Sequence, residues 1–210
     1  MSDDIKNGND TTLAAAPEKK LSWCKRLRRP SAKYSVLTLL VLGFVVGALC
    51  WAGFNTALEA TNTEAFCISC HEMRDNVYVE LKETIHYSSR TGVHAVCADC
   101  HVPKALGPKL IRKVKAANEV WGMLTGTIGT REKFQAKRLE LARNEWARMK
   151  ANDSHECRNC HTQERMNPEM QKTRSRKMHA LGVKDGSTCI DCHKGIAHHK
   201  PEGMTEEDEK

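Results

Sequence analysis

Cys67-Ile68-Ser69-Cys70-His71-Glu72-Met73 is the first of four places where two cysteines, separated by two residues, run directly into a histidine. The others are Cys97-Ala98-Asp99-Cys100-His101, Cys157-Arg158-Asn159-Cys160-His161 and Cys189-Ile190-Asp191-Cys192-His193. C-x-x-C-H is the attachment signal of a c-type haem. The two thiols bond to the porphyrin vinyl groups, and the adjacent His stands ready to ligate the iron. Structural zinc and thioredoxin-like redox pairs also use C-x-x-C, but neither requires a His directly after every second Cys. Cys67, Cys70, Cys97, Cys100, Cys157, Cys160, Cys189 and Cys192 are therefore expected to hold four covalently bound haems c.

The rest of the composition agrees. Ten cysteines leave only Cys24 and Cys50 outside the motifs, and both lie in or beside an apolar segment, so there is no obvious disulfide framework. Aromatic residues make up 5% of the chain and charged residues 28%, which is thin material for a protein core. Four haems would supply the missing apolar volume, and folding is expected to depend on their attachment. The net charge of +7 does not indicate nucleic acid. Residues 1–34 carry eight Lys/Arg against four Asp/Glu, and haem propionates would offset the +3 left on the remainder.

Upstream of the first motif, Ser35 to Phe54 contains no charge, and none occurs between Lys33 and Glu59. At about 1.5 Å per residue, such a stretch crosses the hydrocarbon core of a bilayer. Trp51 and Phe54 sit at its far end as aromatic anchors. An uncleaved anchor over 31–58 fits better than a signal peptide, whose apolar region is shorter. Lys/Arg crowd the preceding side, while Glu59 and Glu64 follow. The positive-inside rule then puts the N-terminus in the cytoplasm and everything after the helix outside. In a bacterium this means a single-pass inner-membrane protein with a periplasmic haem domain. Residues 1–30 read as a disordered, basic cytoplasmic tail, and 201–210 as an acidic disordered tail.

Between these limits, 59–200 forms the tetrahaem domain. The motifs begin at 67, 97, 157 and 189, so they come in two pairs. Each pair has a His shortly before its second motif, His86 and His179, and motifs two and four share C-x-D-C-H. The expected fold is mainly α with extensive loops. It has two two-haem halves, about 59–130 and 151–200, joined by a helix over 131–150. The linking helix is expected to pack through Phe134, Leu141, Ala142, Trp146 and Met149 and to do nothing else. A helix from Pro108 to Leu124 carries one apolar stripe, Leu110, Val114, Ala117, Trp121 and Leu124, beside Lys109, Arg112, Lys113 and Lys115. That stripe can pack on haem or lie at a membrane surface.

The motif histidines His71, His101, His161 and His193 are candidate iron ligands. His86 and His179 are candidates for the opposite faces, with one of His198 or His199 as a third. His94 and His155 stand too close to their own motifs to reach round those haems. Met73, two residues past His71, is an alternative ligand for the first haem, because a thioether also binds iron and raises the potential.

With these residues in hand, the chain resembles the NapC/NirT family of membrane-anchored tetrahaem cytochromes c. F-C-I-S-C-H-E-M, C-x-D-C-H-V-P, E-C-R-N-C-H and C-I-D-C-H-K-G-I-A-H carry the resemblance, which extends from about residue 30 to 200. It implies oxidation of a membrane quinol and relay of single electrons to a periplasmic reductase, with nitrate reductase favoured over nitrite and other reductases. It further implies Met73 on the first haem, His86, His179 and His198 as distal ligands, Lys113 at a quinol pocket and Glu119 as a nearby acidic group. The alternative, a terminal oxyanion reductase, would need an open iron, and the supply of His argues against one.

Overall fold

The structure, a computed structural model, describes residues 33–209, so the expectation for residues 1–30 lies outside the described residues. Among the described residues every regular element is helical. The first helix, α1, runs Val36–Ala60, and no residue of it is buried. Its composition explains both facts. Leu, Ala, Val and Phe propagate a helix without a polar face, and Ser35 Oγ accepts from Thr38 N at 3.2 Å to satisfy one orphan donor at its start. The helix is long and apolar enough to cross a membrane. The chain divides into two compact units between Ala52 and Gly53, and the last two turns of α1 belong to the second.

In the second unit the motifs form very short helices. They are α2 (Glu64–Cys67), α4 (Cys97–His101), α7 (His155–Arg158) and α9 (Cys189–Cys192). The Asp shared by motifs two and four starts its helix by reaching back. Asp99 Oδ2 accepts from Val96 N at 3.0 Å, and Asp191 Oδ2 accepts from Thr188 N at 2.8 Å. Between motifs one and two lies α3 (Tyr78–Lys82), entered through a single π turn, Met73–Val77. Two longer helices follow the second motif, α5 (Leu106–Leu124) and α6 (Arg131–Ala151), and α8 (Thr173–Lys184) precedes the fourth.

The core is thin, as the composition suggests. Leu81, Phe134, Met149 and Ile190 are its buried apolar side chains, alongside buried Arg138, Ser154 and Glu156. Polar ties therefore fix the motifs. Asp153 and Ser154 both take left-handed backbone, φ 56° and 49°, turning the chain sharply from α6 into motif three. Ser154 is fully buried, and its Oγ accepts from Ile190 N at 3.1 Å, which clamps motif four to motif three.

Two expectations are corrected. The 201–210 segment was expected to be a disordered tail; of its described residues Pro201 and Asp208 are buried and most others exposed. Gly203, at φ +77°, lets it fold back, and the Asp208 carboxylate accepts from Arg143 Nε and Nη2 at 2.6 and 2.7 Å. Asp208 answers the basic surface of α6, while Glu202, Glu206, Glu207 and Glu209 stay exposed. The inward face of α6 also differs from the expected stripe, because Leu141 is exposed while Arg138 is buried with Phe134 and Met149.

Candidate haem centres

The six histidines that face one another do so in three pairs. His101 and His198 have ring centroids 6.2 Å apart, His86 and His161 6.2 Å, and His179 and His193 5.9 Å. Each pair joins one motif His to one non-motif His. Two imidazoles each holding one metal ion at about 2 Å place their centroids roughly 6 Å apart, so the spacing suits axial ligation from both sides. The buried Nδ1 atoms of His86 and His198 have no hydrogen-bond partner among the described residues. Burial beside His101 pushes the His198 imidazole down to about 4, so it stays neutral and keeps a lone pair for a metal. The residues present therefore fit haem iron.

The pairing crosses the sequence halves. His86, from the first half, faces the third motif, and His198, from the second half, faces the second motif. Only His179 faces a motif of its own half. The two halves are thus interlocked by exchanged side chains. His199, adjacent to His198, is exposed and sits against Glu80 and Glu83. His94 is engaged by the Tyr87 carbonyl at 2.6 Å through Nδ1.

The first motif is different. His71 is exposed, with Nε2 3.3 Å from Glu72 Oε1, and none of the three pairs includes it. Met73 is half-buried at the start of the π turn, a distortion that often marks a functional position. Cys70 Sγ lies 3.8 Å from Met123 Sδ on α5, and α2 packs against α4, which brings motifs one and two together. Lys113 also reaches this place. Its Nζ donates to Thr61 Oγ1 at 2.8 Å and to Thr61 O at 2.9 Å, and burial lowers its pKa. Glu119 is not beside it. That carboxylate is exposed and paired with Arg112 at 2.9 Å, whereas the carboxylate whose charge reaches Lys113 is that of Glu59.

Residues that the sequence did not single out complete the second motif. Glu145 on α6 accepts from His101 Nδ1 at 2.8 Å and from Arg148 Nη2 at 2.7 Å. Burial would raise its carboxyl, but the bonds from His101 and Arg148 outweigh that and hold it at about 2. A carboxylate on Nδ1 fixes the tautomer that leaves Nε2 for the metal, here the side facing His198. Arg148 also bonds Cys100 O at 3.1 Å and Glu156 Oε1 at 2.9 Å, linking motif two to motif three. So α6 does more than pack. The available signal was charge at positions 138 and 145 on the same helix face as Phe134 and Met149.

Against known proteins, residues 29–203 match the NapC/NirT cytochrome c family, N-terminal region. The denitrification system component NirT of Stutzerimonas stutzeri is 66% identical over 87% of this chain and 91% of its own. The cytochrome c-type protein NapC of Escherichia coli K12 is 54% identical over 88% of this chain and 94% of its own. The cytochrome c-type protein TorC of the same strain is 43% identical over 84% of this chain and 45% of its own. No solved structure matches.

Proposed function

The chain belongs to the NapC/NirT cytochrome c family, and from that premise we propose that it is anchored in the bacterial inner membrane, oxidises membrane quinol and passes the electrons to a periplasmic reductase. It is a c-type cytochrome, and the four C-x-x-C-H motifs are its haem attachment sites. The single observation that carries the proposed function is the set of three imidazole pairs at 5.9–6.2 Å. Each of these three pairs would hold a haem iron and leave no place for an oxyanion there, which disfavours a terminal reductase at those centres. When bound, the haems supply one-electron carriers.

In this reading His101 with His198, His161 with His86 and His193 with His179 hold three irons. Met73 serves the first, with His71 turned to Glu72. Lys113 hydrogen-bonds a quinol oxygen next to the first motif. Oxidation of a quinol to a quinone releases two electrons and two protons, so a proton acceptor is required. Glu59 is the carboxylate whose charge reaches Lys113, although it is itself paired with Lys109 at 2.6 Å; Glu119 is paired with Arg112. The N-terminus is cytoplasmic and the haem domain periplasmic.

The resemblance favours nitrate reductase as the partner. The printed role of the NirT relative favours a reductase of denitrification as a second reading. Electron delivery from reduced protein to each purified reductase separates the two. Lys113→Leu is expected to slow quinol oxidation at least tenfold while all four haems remain attached. Unchanged quinol kinetics would remove Lys113 from the site, and nitrate or nitrite turnover by the protein alone would sink the relay.

A further inference from the structure

Helix α5 is amphipathic the wrong way round for a soluble protein. A surface helix normally turns its apolar stripe to the core and its charges to water. Here Lys109 and Arg112 are 13% and 16% exposed. Lys113 is tied to Thr61, and Met123 meets Cys70. On the opposite side Val114, Trp121 and Ile111 are 75%, 67% and 60% exposed, with Leu124, 69% exposed, and Leu106 at the edge next to Lys113. The basic side is the one that meets the haem attachment points. Arg112 Nε donates to His101 O at 3.2 Å, Lys113 interacts electrostatically with Cys67, and the Cys70–Met123 contact lies on the same side. Val114 and Trp121 lie across the helix from Arg112 and Met123, away from these thiols.

We propose that α5 lies in the surface of a lipid bilayer, with the apolar face that runs from Leu106 to Leu124 at the boundary between headgroups and acyl chains. The inference rests on reading α1 as a membrane anchor. Two observations choose lipid over another protein. First, α5 is fastened to the place where the apolar helix ends. Lys109 Nζ pairs with Glu59 at 2.6 Å and Lys113 Nζ bonds Thr61, on either side of Ala60, the last residue of α1. This sets the near end of α5 at the level where the chain leaves the hydrocarbon. Second, the face carries Trp121, a side chain favoured at membrane interfaces, and Lys115 stands exposed for anionic headgroups. The helix is 19 residues, about 28 Å along its axis, long enough to lie flat over several lipids. The consequence is functional. The membrane surface would form one wall of the region holding Lys113 and the first motif, and a quinol could enter from the bilayer without crossing water.

The test uses the full-length haem-loaded protein in vesicles of phosphatidylethanolamine and phosphatidylglycerol. A benzophenone amino acid is placed singly at positions 114, 121 and 124, at 42 within α1, and at the exposed position 140 on α6. After illumination, lipid adducts and protein–protein adducts are counted by mass. Positions 121 and 124 should give about tenfold more lipid adduct than position 140. Lipid adducts at 42 but only background at 114, 121 and 124 would overturn the proposal and leave the anchor standing. Adducts to a second copy or to an added reductase at these positions, in place of lipid, would also overturn it. Absence of adducts at 42 as well would remove the anchor and the proposal together.

Discussion

Glu145→Gln isolates what α6 contributes to the second motif. The substitution keeps the size of the side chain and one carbonyl acceptor but removes the negative charge that His101 Nδ1 faces at 2.8 Å. Across the imidazole ring, that charge lies roughly 6–7 Å from the position of a metal on Nε2, and at an effective dielectric of about 20 it is worth about 2.5 kcal/mol. Arg148, 2.7 Å from the same carboxylate, cancels part of this, leaving about 1–2 kcal/mol. The negative charge favours the oxidised iron, so its loss should raise one midpoint potential by about 40–90 mV, at about 59 mV per tenfold change for one electron. A spectroelectrochemical titration of the full-length protein reads all four potentials, and the low-spin ferric signals report the weaker donor on His101. One potential should rise while three stay fixed. Four unchanged potentials would refute the reasoning, and four moving together would show that Glu145 acts on the fold rather than on His101.

Three further outcomes follow from the same contacts. His86→Ala should let the reduced protein bind one more equivalent of carbon monoxide than the unsubstituted protein, with all four haems still attached; no added equivalent would break the pairing. Ser154→Ala strands the buried N–H of Ile190 and should cost about 1–3 kcal/mol in denaturant unfolding, with haem content unchanged. Glu80→Gln breaks the paired bonds from Arg138 and should cost about 3 kcal/mol near neutral pH. Burial opposes ionisation of Glu80, but bonds from Arg138 and the His199 N–H prevail and hold its carboxyl below the usual value. Its contribution is therefore complete above about pH 4.3 and fades as pH falls through the lower folded value, a dependence that acid titration of Glu80→Gln should lack.

Much of this protein was legible without coordinates, for a physical reason. Covalent attachment needs two thiols and an imidazole from five consecutive residues, so Cys67–His71 and its three repeats announce themselves. The apolar helix is equally local, because twenty uncharged residues leave few alternatives. The helices at 106–124 and 131–151 fell within two residues of their expected limits, since Pro108 and the 3–4 spacing are contiguous signals. Met73 also stood out by position alone.

The tertiary structure decided which faces meet. His86 stands eleven residues before Cys97, yet it faces His161, because chain proximity does not set which side of a metal a ring can reach. His198 and His199 are chemically alike, and only burial against His101 separates them. Glu145 lies 44 residues from His101 in a helix whose charges look solvated in sequence. The stripe of α5 was visible from its spacing, but its direction was not. Periodicity reports that a helix has two faces, and only the neighbours, Thr61, Cys70 and His101 on the basic side, determine which one turns inward.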